Sequence, residues 1–218
     1  MRDAFHEELD SLTDRLVEMT RLVRSAISRA TTALLDADLQ LAESVISRDE
    51  EVNQIHAEIE TSIFELMARQ QPVAVDLRMV ITALRMGNDL ERMGDLAEHV
   101  AKITRLRHPD SAIPPELRST ILEMGQIAER LVTKAGSCIA ARDAEAALEL
   151  EHDDDAMDKL HRRLFRVLLA KDSKYGTEQA IDVTLIGRYY ERYADHAVSV
   201  ARDVVYLVTG SRVQDLTS

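Results

Sequence analysis

Acidic residues recur in this sequence, one helical turn apart, at positions where a helix should bury a hydrophobic side chain. Asp49 lies four residues after Val45 and three before Val52, so it continues an apolar stepping of four and three, and Asn53 stands one turn later. Leu77, Ile81 and Leu84 lead by the same steps to Asn88, Glu91 and Asp95. The second half repeats the device with Asp154 and Asp158, then with Glu191 and Asp195 inside "RYYERYADHA". Like charges one turn apart cost a helix about 0.2–0.5 kcal/mol, and more where the surroundings are poorly hydrated. A cation should therefore offset them.

Arginine is one such cation. Arg92 and Arg192 each follow a glutamate directly, and each half can neutralise its acids in an ordinary salt-bridge network. A metal ion is the other, because two helices that each present oxygen ligands one turn apart form a cup suited to hard cations. The single cysteine, Cys138, cannot support a thiolate site and reads as a small buried side chain, and there is no HExxH motif for a zinc hydrolase. Ferritin-like di-iron bundles need paired ExxH motifs; only "ELEH", Glu149 to His152, matches, with no partner in the other half. His56 and His161 occupy aligned positions and read first as partly buried structural histidines, with a ligand role as the alternative.

Long helices must position these groups. Phe5, Leu9, Leu12, Leu16, Met19, Val23, Ile27, Ala30 and Leu34 recur at steps of four and three and define a first helix. Further helices are expected from about Leu39 to Arg69, Val75 to Leu106, Pro115 to Ala141, Ala144 to Ala170 and Thr177 to Val208. The segment "KDSKYGT" suits the last turn. Leu12 falls on Leu117, Met19 on Met124, Asp38 on Asp143, Asp49 on Asp154 and His56 on His161, a shift of 105 positions. Gly87 falls on Gly187, Glu91 on Glu191, Arg92 on Arg192 and Asp95 on Asp195, a shift of 100. The chain reads as an all-α protein of six long helices, a tandem duplication of a three-helix unit with units at 1–108 and 109–218.

Composition agrees: aromatics are 4% of residues, Trp is absent, and there are seven Gly and four Pro. With 39 acidic against 27 basic residues the net charge is -12, which repels phosphate backbones and anionic membranes and argues against direct nucleic-acid binding. The charged N-terminal stretch reads as neither signal peptide nor anchor, and no apolar run is long enough to span a bilayer, so a cytoplasmic protein is expected.

The motifs "DLERMGDLAEHVAK" and "YYERYADHAVSVARDV", each preceded by "SRDEEVNQI" or "EHDDDAMDKL", with "RQQPVAVDLR" joining the first pair, resemble the PhoU family of phosphate-uptake regulators over essentially the whole chain. The resemblance implies two three-helix bundles related by a pseudo-two-fold axis, in a protein that often dimerises. It implies multinuclear clusters of iron, or of manganese, magnesium, zinc or calcium, held here by Asp49, Asn53, Glu91 and Asp95 and by Asp154, Asp158, Glu191 and Asp195. Asn53 departs from a strictly acidic motif and contributes an oxygen without charge, which weakens the first cluster. The implied role is non-catalytic: repression of the phosphate-starvation response as an adaptor between the ATPase subunit of a phosphate ABC transporter and a sensor histidine kinase, with membrane contact only through these partners. A carboxylate-bridged oxidase or hydrolase, or a helical scaffold with salt-bridged acids, are the competing readings. The sequence carries no phosphate-binding Gly-rich loop and no G-x-S-x-G.

Overall fold

The computed structural model describes residues 2–170 and 174–213, with side chains except those of residues 2–6 and Glu151. Phe5 of the first stripe and part of the expected "KDSKYGT" turn lie outside the described side chains and residues. Helices α1 (Arg2–Asp36), α2 (Leu39–Gln70) and α3 (Ala74–Arg107) form the first bundle. A short 3-10 turn, Pro115–Leu117, leads into α4 (Arg118–Ala141), which packs with α5 (Ala144–Asp153), α6 (Asp155–Leu168) and α7 (Thr177–Thr209) as the second. The second helix of each bundle starts at an aligned aspartate cap. Asp38 accepts from the Leu41 N–H at 3.0 Å, and Asp143 from Glu145 and Ala146 at 3.1 and 3.0 Å.

The single helix expected from Ala144 to Ala170 is in fact two, because the chain breaks at Asp154. Asp153, Asp154 and Asp155 are consecutive, and aspartate is a poor residue for a helix interior since its carboxylate competes for nearby backbone groups. The counterpart, α2, runs through the break point without interruption.

The two bundles share one apolar core, because α1 packs on α4 and α3 packs on α7. The α1–α4 contact rests on two pairings. A Cβ on Gly125 would lie 2.6 Å from Thr31 Cγ2, and a Cβ on Gly136 would lie 2.5 Å from Thr20 Oγ1. Thr20 and Thr31 are the repeat equivalents of Gly125 and Gly136, so one repeat supplies the hydroxyls and the other the space. From α7, Tyr190 and Tyr193 are fully buried and bond to α1: the Tyr190 hydroxyl meets Thr31 Oγ1 at 2.6 Å, and Tyr193 donates to the Val23 carbonyl at 3.0 Å. Burial pushes both phenols above their ordinary pKa.

The α3–α7 contact is antiparallel and carries polar links. Arg107 forks onto Asp182, with Nε 2.5 Å from Oδ2 and Nη2 3.0 Å from Oδ1, and also meets Glu178. Nearer the middle, His196 Nδ1 lies 2.8 Å from Asp89 Oδ1.

Gly136→Ala should lower stability by about 1–3 kcal/mol, because the added methyl overlaps the Thr20 hydroxyl. Adding Thr20→Ala should recover part of that loss, and urea unfolding midpoints measure both.

Candidate metal centre

The carboxylates gather into two cups, one per bundle, at the rims of the buried faces. On α3 the core is made by Val80, Ala83, Leu90, Met93, Ala97 and Val100. The run Leu77, Ile81, Leu84, Asn88, Glu91, Asp95 borders that face rather than lying in it, and Leu77 is 37% exposed. The acids are therefore half-sheltered, with Asp158 and Asp195 exposed.

In the first cup Asp49 on α2 faces Glu91 and Asp95 on α3, and Asn53 Nδ2 donates to Asp49 Oδ2 at 3.1 Å. Gly94 permits this approach, since a Cβ there would lie 2.9 Å from Asp49 Oδ1. Burial, with the charges of Glu98, Asp95 and Glu91, pushes the Asp49 carboxyl up to about 6, against a small lowering by Asn53. Glu98 was not visible as a site residue from the four-residue spacing. Its side chain is 16% exposed and pairs with Lys102 Nζ at 2.5 Å.

The second cup has Asp154 at the helix break, Asp158 on α6, and Glu191 and Asp195 on α7. Burial, with the charges of Asp195, Asp158, Glu191 and Asp155, pushes Asp154 up to about 6. Glu191 is raised by burial and by Asp195, with Arg188 pulling the other way. The halves trade one acid. The first has Asn53 and Glu98 where the second has Asp158 and Val198. Counting the base aspartate, four carboxylates bear on the first site and five, with Asp155, on the second.

Arginines sit on both rims. Arg92 reaches Asp95 at 2.7 Å and Glu91 at 3.5 Å, from a side chain 60% exposed. In the second half the partner is Arg188, which meets Glu191, and not Arg192, which has no partner among the described residues. These exposed pairs stabilise little, and neither aspartate at the cup base is paired with them. Among the described residues no three His, Cys, Asp or Glu side chains converge as a metal ligand set. The donor chemistry nevertheless suits a hard cation: the sites offer carboxylate oxygens, and burial followed by the charge of neighbouring acids raises the base aspartates to about 6.

The histidines differ between halves. His56 Nε2 lies 2.8 Å from Asn88 Oδ1, whereas the buried His161 Nε2 has no partner among the described residues, because Arg188 stands where Asn88 does. Burial and then Arg188 lower the His161 pKa, so the ring is neutral. Glu149 of the "ELEH" motif is committed to Lys134 at 3.1 Å. Cys138 is buried, with its thiol pushed up by burial.

A family model described as the PhoU domain matches residues 16–104 and again residues 121–204. The chain belongs to the PhoU family. Phosphate-specific transport system accessory protein PhoU homolog 2 of Mycobacterium tuberculosis is 50% identical over 211 residues, spanning 97% of this chain and 99% of that one. PhoU homolog 1 of Mycobacterium leprae is 48% identical over 217 residues, spanning 100% and 98%. The crystal structure of PhoU from Pseudomonas aeruginosa superposes with a TM-score of 0.85 at 30% identity, over 95% of this chain and 100% of that one. The phosphate transport system regulatory protein PhoU from Streptococcus pneumoniae superposes at 0.86 and 26% identity, over 96% and 99%. The all-helical PhoU fold of two tandem bundles follows.

Each base aspartate has a folded pKa above its unfolded value, so the native state binds the extra proton. That stability is fully present below the unfolded value of about 3.9 and is lost as pH rises through about 6. In metal-free protein, Asp49→Asn and Asp154→Asn should each raise stability near pH 7 by about 0.5–2 kcal/mol after solvent screening, and change little near pH 4. Urea titrations at both pH values in the presence of a chelator check this.

Proposed function

We propose that this protein regulates phosphate transport and represses the phosphate-starvation response as a non-catalytic adaptor. The observation that carries the reading is the end-to-end relation, at 50% identity, to a protein named as an accessory of the phosphate-specific transport system. Its partners are the ATPase subunit of the phosphate ABC transporter and the cytoplasmic portion of a sensor histidine kinase, and it acts as a homodimer in the cytoplasm. No helix among the described residues is long and apolar enough to cross a membrane, which supports contact with the bilayer only through those partners.

Within this reading the cups hold metal. Asp49, Glu91 and Asp95, with Asn53 and Glu98 beside them, form one site, and Asp154, Asp158, Glu191 and Asp195 the other. A cation such as iron, manganese, magnesium, zinc or calcium would supply charge compensation there. This chain's own part is to release Arg92 and Arg188 from the rims and to deprotonate Asp49 and Asp154. The change in surface charge is what a partner would read.

Alkaline phosphatase in phosphate-rich medium tests the proposal. Deleting the gene should derepress the enzyme several-fold, restoring the wild-type gene should silence it, and a Glu191→Ala, Asp195→Ala copy that accumulates normally should leave it partly derepressed. No change on deletion of this gene and of any second copy would overturn the regulatory reading. Full silencing by the double variant would remove the cups from it.

A further inference from the structure

The repeat supplies its own control for the outer helix of each bundle, and the two differ in charge and in shape. Residues 155–168, all of α6, carry Asp155 and Asp158 against Lys159, Arg162, Arg163 and Arg166, a net charge of +2. Their repeat equivalents on α2, residues 50–63, carry Glu50, Glu51, Glu58 and Glu60 with no Lys or Arg, a net charge of -4. The chain as a whole is at -12, so α6 is a basic strip on an acidic molecule.

The strip is exposed and largely uncommitted. Lys159, Arg163 and Arg166 follow one another at steps of four and three on one helix face, all exposed, and have no partner among the described residues. Arg162 makes only an exposed pair with Asp158 at 3.7 Å. Phe165 and Leu169, 38% and 80% exposed, lie on the neighbouring flank, where the Phe165 ring packs on His161 at 5.0 Å between centroids. Beside the strip, a cleft of about 960 Å3 opens between α4 and the α5–α6 break, with Ile127 and Leu131 among its lining and charges of both signs, Arg130, Lys134 and Lys159 against Glu129, Asp153 and Asp155. The equivalent groove between α1 and α2, with Leu22 and Ala26 in place of Ile127 and Leu131, has a volume of only about 30 Å3.

We infer that the exposed basic face of α6, bordering the α4 cleft, is a docking surface for an acidic segment of a partner protein, one whose carboxylates meet Lys159, Arg163 and Arg166. Charge complementarity with the +2 strip, on a chain at -12, selects that occupant. An anionic bilayer has the right sign, but a flat surface would also meet the acids of the second cup and the rest of a chain at -12. The acidic α2 flank has no such groove, so the two halves take different partners. The inference goes beyond the phosphate reading and does not rest on it.

The test uses the full chain and a fluorescein-labelled amphipathic helical peptide of Glu and Leu, followed by anisotropy at low and physiological salt. Wild type should bind, more weakly as salt rises. A Lys159→Glu, Arg163→Glu, Arg166→Glu variant should weaken binding by at least about tenfold. Because all three side chains are exposed, circular dichroism should be unchanged, and Arg163→Gln, Arg166→Gln provides a milder second variant with a smaller loss. Absence of binding, or equal binding by wild type and the charge-reversed variant, overturns the inference. Wild-type co-sedimentation with phosphatidylglycerol vesicles in place of peptide binding overturns it in favour of a membrane. Self-association abolished by Glu58→Lys, Glu60→Lys overturns it in favour of a second copy's acidic α2 face. The readout is docking alone, so its outcome does not depend on whether the chain represses alkaline phosphatase.

Discussion

The close crossing of α1 over α4, at the Thr31–Gly125 and Thr20–Gly136 pairings, sets the geometry on which the rest of the molecule depends. Two threonines at either crossing would overlap, and two glycines would leave a void, so one repeat carries each residue type. With that distance fixed, α7 lies against α1 through Tyr190 and Tyr193 and against α3 through the Arg107–Asp182 fork. Helices α3 and α7 each carry an acid pair, so the same seam fixes where both cups face. The acids in "RYYERYADHA" sit beside the tyrosines that anchor the helix, on the rim those anchors present to α6.

The duplication is conserved in plan and altered in detail, and the alterations fall on the polar groups. Gly94 lets Asp49 approach α3, whereas the second half has Ala194 at that position and breaks the facing helix at Asp154. Beyond the aligned acids, Glu98 adds its charge in one cup and Asp158 and Asp155 add theirs in the other. His56 is tied to Asn88, while His161 is left without a partner beside Arg188. The two sites therefore differ in their carboxylates and in their neighbours, and a wide groove opens beside the helix break on one flank only.

Much of this was legible in the sequence because helical periodicity and the repeat both survive in single residues. Five of the six helices have ends within a few residues of those that the apolar stepping marks, and the repeat pairs Asp49 with Asp154 and Glu91 with Glu191 from residue types alone. The break at Asp154 is not legible there, since three aspartates in a row remain compatible with an amphipathic stripe although each disfavours a helix interior. Glu98 escaped because it lies three residues beyond Asp95, outside the four-residue motif, and its approach to Asp49 depends on how α2 packs on α3. Adjacency suggested Arg192 as a counter-ion, but the side chain one turn before Glu191, Arg188, is the one that reaches it. A helix places residues three or four apart together, and neighbours in sequence apart.

The central claim is that Asp49 and Asp154, half-withdrawn from water among other acids, are compensated by a bound cation when the protein works. Crystals grown from protein purified without chelators, with anomalous data collected across the iron and manganese edges, address it directly. The account predicts anomalous density between Asp49, Glu91 and Asp95 and again between Asp154, Glu191 and Asp195, with Arg92 and Arg188 turned away. Metal-replete crystals without density at either cup, and with both arginines still on the carboxylates, would contradict it.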